Sequence, residues 1–169
     1  KSTAADPYED LSIAELEQLR EQLRGEIERR EIELYQLKAD RYPEQAVYRL
    51  ELGERLLRIG QVEAAIVELQ QARRDERLKW KAALLLGHAF RQRNNWRLAQ
   101  RNYEEALQLL PPAEEEARKE ILFELAQGNA TAGDLQRALD LGHELANIDY
   151  AYKNIGRLLE EWNDRLQSA

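Results

Sequence analysis

The chain contains no cysteine, which excludes a disulfide framework and a thiolate metal site and leaves the redox compartment unmarked. It has two histidines, His88 and His143, far apart and without the His-x-x-x-His spacing that holds a metal. No glycine-rich phosphate loop occurs, and no apolar run approaches the roughly 20 residues that a membrane span requires. Proline and glycine are scarce, at 4 and 8 of 169 residues, so little interrupts a helix. Methionine is absent and position 1 is Lys, as in a processed chain or an excised fragment, so a leader upstream stays open. No nucleophile–base or paired-carboxylate constellation is recognisable. The expectation is a chain without enzymatic activity and without a cofactor, soluble, and in the cytoplasm rather than secreted.

What is present is Ala, Glu, Leu, Arg and Gln, all good helix formers. The net charge of −7 is unevenly spread: residues 1–45 sum to −5, residues 46–113 to +4 and residues 114–169 to −6. A weakly basic middle between acidic ends lacks the dense one-signed patch of a nucleic-acid binder. It fits an acidic partner or head-to-tail self-association better.

The chain is organised around a repetition. Leu52-Gly53 recurs as Leu86-Gly87, Leu56 as Phe90, Ala65 as Ala99, Leu69 as Tyr103 and Ala72 as Ala106, each 34 residues on. A fixed period of this length marks stacked helical hairpins. The spacing predicts helices over 46–59 and 62–74, then over 80–93 and 96–109, with small residues at close crossings and larger ones filling the space between. Pro111-Pro112 ends the second unit.

Upstream, residues 1–12 read as a flexible lead-in. Ser12 with Glu15 forms a capping box, and Pro43 turns Tyr42 out of the helical region. A helix from Ile13 to near Asp40 follows, roughly 42 Å long at 1.5 Å per residue. Ile13, Leu16, Leu23, Ile27, Leu34 and Leu37 follow alternating three- and four-residue steps, interrupted by Arg20 and Arg30. This allows a dimeric coiled coil, with Ile13, Leu16, Leu23 and Ile27 as oligomerisation residues, or a long helix that packs back on its own chain. In the 34-residue register, residues 29–43 occupy the place of a second helix, and residues 13–28 project as an arm.

These units resemble the tetratricopeptide repeat (TPR), as found in bacterial TPR proteins. Ala83, Leu86, Gly87, Phe90, Ala99, Tyr103, Ala106 and Pro111 match its pattern in the second unit (80–113). Leu52, Gly53, Leu56, Ala65, Leu69 and Ala72 match it in the first (46–79), which departs at Arg49 and Arg77. A third unit (114–149) is degenerate and arrives five residues late. It shows Leu125-Ala126, Asn129, Gly133 and Ala138, and Gly142 stands where Leu69 and Tyr103 stood, which predicts a less well filled interface. Asp149 is the expected N-cap of a capping helix within 150–169 carrying Ile155, Leu158, Leu159, Trp162 and Leu166 on one face. The expected fold is an all-α, right-handed solenoid of helix-turn-helix repeats with a long N-terminal helix.

The resemblance implies a protein or peptide partner held on the concave surface. The residues it places there are Val47, Leu50, Glu54, Leu57 and Arg58, then Lys81, Leu84, His88, Arg91 and Gln92, and in the third unit Glu120, Phe123, Gln127, Ala130 and Thr131. Members that clamp the C-terminal carboxylate of chaperones use Lys and Asn where Leu50 and Glu54 stand, which argues against that ligand. Apolar residues among charged ones suit an amphipathic helix or an extended peptide. Arg97 and Arg101 lie on the outer side as a solvated face, and Trp80, Trp96 and Trp162 are expected to serve the core. A scaffold or adaptor is the leading functional expectation, with self-assembly through the N-terminal helix as the alternative.

Overall fold

The computed structural model describes residues 7–8 and 10–168; residues 1–6 and 9 of the expected lead-in, and Ala169, lie outside the described residues. The fold is an all-α solenoid. Its helices are α1 (Ile13–Arg41), α2 (Ala46–Arg58), α3 (Val62–Ala72), α4 (Lys79–Gln92), α5 (Trp96–Leu109), α6 (Glu115–Ala132), α7 (Leu135–Ile148) and α8 (Ile155–Gln167), with a 3-10 turn at Tyr152–Asn154 before the last. Each helix packs mainly on its neighbours in sequence, and α2, α4 and α6 open the three hairpins α2–α3, α4–α5 and α6–α7. Such a stack builds its core one interface at a time.

The three hairpins share one turn. Gly60, Asn94 and Gly133 each take a left-handed backbone, with φ of 78°, 55° and 93°. Gly and Asn are the residues that enter this region at least cost. The next N–H then reaches back to close the first helix: Gln61 to the Leu56 carbonyl, Asn95 to Phe90 and Asp134 to Asn129, each at 2.9 Å. Asn95 and Asp134 also cap the second helix by accepting from the Leu98 and Arg137 amides. The late third unit is absorbed before the turn: α6 has 18 residues where α2 has 13 and α4 has 14.

Inside the hairpins, glycine makes room for a large side chain. A Cβ on Gly53 would lie 2.7 Å from Leu69 Cγ, and one on Gly87 would lie 2.5 Å from the Tyr103 ring. Leu69 and Tyr103 are fully buried in consequence. The two departures from the repeat pattern have partners. Arg49 reaches Glu68 of its own hairpin at 2.8 Å, and Arg77 is held by Asp75, which accepts its backbone N–H at 2.9 Å.

The last unit differs from the expectation in two respects. Gly142 leaves no gap, because Leu159, Trp162 and Ile155 of α8 fill the space over it, with Leu159 Cδ2 placed 2.8 Å from where a Cβ would stand. Asp149 is not the N-cap of α8; it terminates α7, accepts the Ala151 N–H at 3.1 Å and receives the Lys119 ammonium at 3.3 Å. The chain instead enters α8 through two consecutive left-handed residues, Lys153 (φ 44°) and Asn154 (φ 60°).

Along α1, Ser12 and Glu15 form the capping box at the N-terminus. The helix meets the stack through Ile32, Tyr35 and the fully buried Ala39. Arg55 of α2 stacks 4.0 Å from the Tyr35 ring centroid and donates to Glu31 at 3.3 Å and Glu51 at 2.7 Å. The face that packs back is therefore not the three-four seam. Leu34 and Leu37 belong to that seam and remain exposed while Ile32, off the seam, is covered.

Candidate interaction face

The first helices of successive hairpins lie side by side and are laced by polar pairs. Glu54 of α2 meets Lys81 of α4 at 3.8 Å, and His88 of α4 meets Glu120 of α6 at 3.0 Å. Arg91 spans to α6, ion-paired with Glu124 and donating to the Gln127 side-chain oxygen at 2.7 Å. A cleft of about 410 Å³ opens between α2 and α4, lined by Glu54, Leu57, Arg58, His88, Arg91 and Gln92. The residues implied for a groove by the family resemblance in the first two units thus include six that converge on one concavity.

The apolar members of that set behave differently from the polar ones. Leu50 (2% exposed), Leu57 (7%), Leu84 (7%) and Phe123 (7%) are built into the core. Leu50 and Leu57 share a cluster with Ile32 and Tyr35 of α1, while Leu84 shares one with Phe123. Phe123 is further covered by Tyr152, ring to ring at 6.0 Å, and by the Lys153 ammonium at 4.8 Å. Ala130 is buried, and Val47, Arg58, Gln92 and Thr131 are exposed. The cleft itself mixes polar groups with apolar surface from Leu57 and Leu85. Leu85 of the cleft wall and Glu124, the partner of Arg91, were not among the expected residues. The 33-residue separation of Arg91 and Glu124, close to the repeat length, is the signal that could have found the latter.

His88 has a structural task. The Tyr103 hydroxyl lies 2.9 Å from its Nδ1, and its Nε2 lies 3.0 Å from a Glu120 carboxylate oxygen. The consistent assignment has Tyr103 donating to Nδ1 and Nε2–H donating to Glu120. The chain of bonds runs from α5 through α4 to α6 and locks the second unit to the third. The hydrogen bond from His88 holds the Glu120 carboxyl below its ordinary range against the opposing effect of burial. Burial pushes the Tyr103 phenol well above its ordinary value. Among the described residues no cluster of three or more His, Asp or Glu is arranged to hold a metal ion.

The residues of α1 expected to serve oligomerisation stand clear of the core of the stack. Ile13, Leu16, Leu23 and Ile27 are between 40% and 78% exposed. Leu16, Leu23 and Ile27 border a trough of about 840 Å³ that runs along the arm to Arg58, the last residue of α2. No described helix is long and apolar enough to cross a membrane.

No family model matches the chain, and no curated protein matches it in sequence. Its fold does match solved structures. One, described as the crystal structure of MamA, superposes with a TM-score of 0.67 at 16% identity, covering 92% of this chain and 90% of that one. A second, described as the crystal structure of MamA protein, superposes at 0.63 with 17% identity, over 80% of this chain and 77% of that one. At such identities the likeness is one of fold: this chain is a helical-repeat solenoid built like MamA.

Proposed function

We propose that the chain is a non-catalytic protein-interaction module, a TPR-type scaffold or adaptor that holds a peptide or helix of a partner against the face formed by α2, α4 and α6. The observation that carries this reading is the cleft between α2 and α4, where Glu54, Arg58 and Gln92 present unlike polar groups to one space. With Leu50 and Leu84 built into the core, the cleft leaves Leu57 and Leu85 for apolar contact, and its charged and hydrogen-bonding groups set specificity and association rate more than raw affinity. The ligand is accordingly an extended or helical segment of mixed charge. The experiment is affinity capture from a lysate of the source cell, comparing residues 1–169 with a Glu54→Arg/Arg58→Glu/Gln92→Glu variant, followed by salt titration of the captured complex. Loss of the same partner in the variant, with an unchanged helical circular dichroism spectrum, supports the reading. Identical capture by both forms would sink it.

A second reading is supported by a separate observation. The exposed apolar seam of α1 points away from the stack, and large exposed apolar patches mark interaction surfaces. Under this reading α1 drives self-assembly and the hairpins set spacing.

A further inference from the structure

The seam of α1 reads the same in both directions. Taken forward it is Ile13, Leu16, Arg20, Leu23, then Ile27, Arg30, Leu34, Leu37, and its midpoint falls at Gly25. Pairing the ends inward sets Ile13 against Leu37, Leu16 against Leu34, Arg20 against Arg30 and Leu23 against Ile27. Every apolar residue meets an apolar one, and the two arginines that break the pattern meet each other. A twofold interface requires this kind of self-complementarity, since residue i must contact j while j contacts i. Resting on the self-assembly reading, we infer that a second copy of this chain covers the seam, and that the two α1 helices pair antiparallel about an axis near Gly25.

Charge decides the direction. The half of α1 over residues 13–28 carries five acidic residues against two arginines, while residues 29–41 carry four basic against three acidic. Parallel pairing would lay the two acidic halves together. Antiparallel pairing lays each acidic half along the basic half of the other copy, beside the exposed Arg58 at the end of α2. The arginine layer is tolerable because each arginine brings its own counter-charge: Arg30 pairs with Glu26 at 2.9 Å and Glu33 at 3.2 Å, and Arg20 with Glu21 at 3.3 Å. The apolar contacts of the stack with α1, through Ile32, Tyr35 and Ala39, lie on the side of the helix away from Leu34 and Leu37, while Glu31, held by Arg55, and Arg58 flank the seam near Ile27.

The absence of cysteine makes the test clean, since any thiol introduced is the only one. Leu16→Cys and Leu34→Cys are prepared separately in the full chain, and each is oxidised alone and as an equimolar mixture. Multi-angle light scattering of the parent runs alongside. The expected result is a dimeric parent, a disulfide-linked dimer in the mixture that contains both variants, and little linkage of either variant alone. Arg20→Glu is expected to tighten the dimer by about tenfold, because it turns both arginine layers into Arg–Glu pairs; in a parallel dimer it would only set glutamate against glutamate. Strong self-linkage of Leu16→Cys overturns the antiparallel register. So does a dimeric parent with no linkage in the mixture, and the self-assembly reading then survives without it. A parent that stays monomeric up to about 100 μM, too weak an association to hold a dimer at ordinary concentrations, overturns both and leaves the α2–α4 cleft reading untouched.

Discussion

The long first helix and the hairpins that follow carry apolar residues at the same three- and four-residue spacing, and their outcomes are opposite. Leu52, Leu69, Ala99 and Tyr103 are buried to completion in the stack, while Ile13, Leu23, Ile27 and Leu37 are more exposed than covered. For the first half of α1 the difference is one of length; Leu37 lies on the last turns, within reach of α2, but on the face turned away from it. α1 has 29 residues and α2 has 13, about 44 Å against 20 Å at 1.5 Å per residue. A helix returning from the short connection at 42–45 can cover only the last turns of α1. Periodicity therefore states that a face seeks a partner, and the lengths of neighbouring helices state whether the same chain supplies it.

The sharpest way to break this comparison is truncation on each side of it. Tyr103→Ala removes a fully buried ring that also bonds His88, and should cost about 3–5 kcal/mol in urea unfolding followed by circular dichroism. Leu34→Ala, in the exposed seam, should stay within about 0.5 kcal/mol at concentrations where the chain is monomeric. Equal losses would mean that α1 is covered by its own chain in solution. Two glycines extend the contrast at smaller cost. Gly128 lies directly under the Trp96 ring, so Gly128→Ala forces the indole aside and should lose about 1–3 kcal/mol. Gly25, mid-helix in α1, has nothing within 4 Å of where a methyl group would stand, and Gly25→Ala should gain roughly 0.5–1 kcal/mol of helix stability. Thermal midpoints moving in opposite directions would uphold the distinction; a loss at Gly25 would refute it.

The parts of this fold that could be read from the residues are those decided locally. The 34-residue recurrence, the helix break between residues 59 and 62, and the close approach allowed by Gly53 and Gly87 each depend on a neighbour at fixed distance along the chain. What escaped depends on distant elements. Whether Leu50 faces a ligand or the core is settled by Ile32 and Tyr35 of α1, and the fate of Phe123 by Tyr152 and Lys153, none of which belongs to its own repeat. Asp149 has the chemistry of an N-cap, but Lys119, thirty residues earlier, engages its carboxylate where α7 ends. The polar lacing between α2, α4 and α6 is hidden in the sequence for the same reason. His88 shows no task there because its two partners, Tyr103 and Glu120, lie on the two helices that follow its own.

The smallest expected effect tests whether the polar lacing of the stack matters as its apolar packing does. Glu120 has a folded-state pKa below its ordinary 4.5, chiefly because His88 donates to it. A carboxyl depressed in the folded state contributes stability that is present above the unfolded pKa and is lost as pH falls through the folded one. The contribution of Glu120 should therefore be constant above about pH 5 and fade below the ordinary value of 4.5. Glu120→Gln keeps the shape and can still accept from His88, but it does not titrate. Its unfolding free energy should fall less steeply on acidification than that of the parent, while the seam variant Leu34→Ala should follow the parent slope. Should Glu120→Gln reproduce the parent's acid slope, the carboxylate is as well served by water as by His88, and the lock between the second and third units rests on Tyr103 and the apolar core alone.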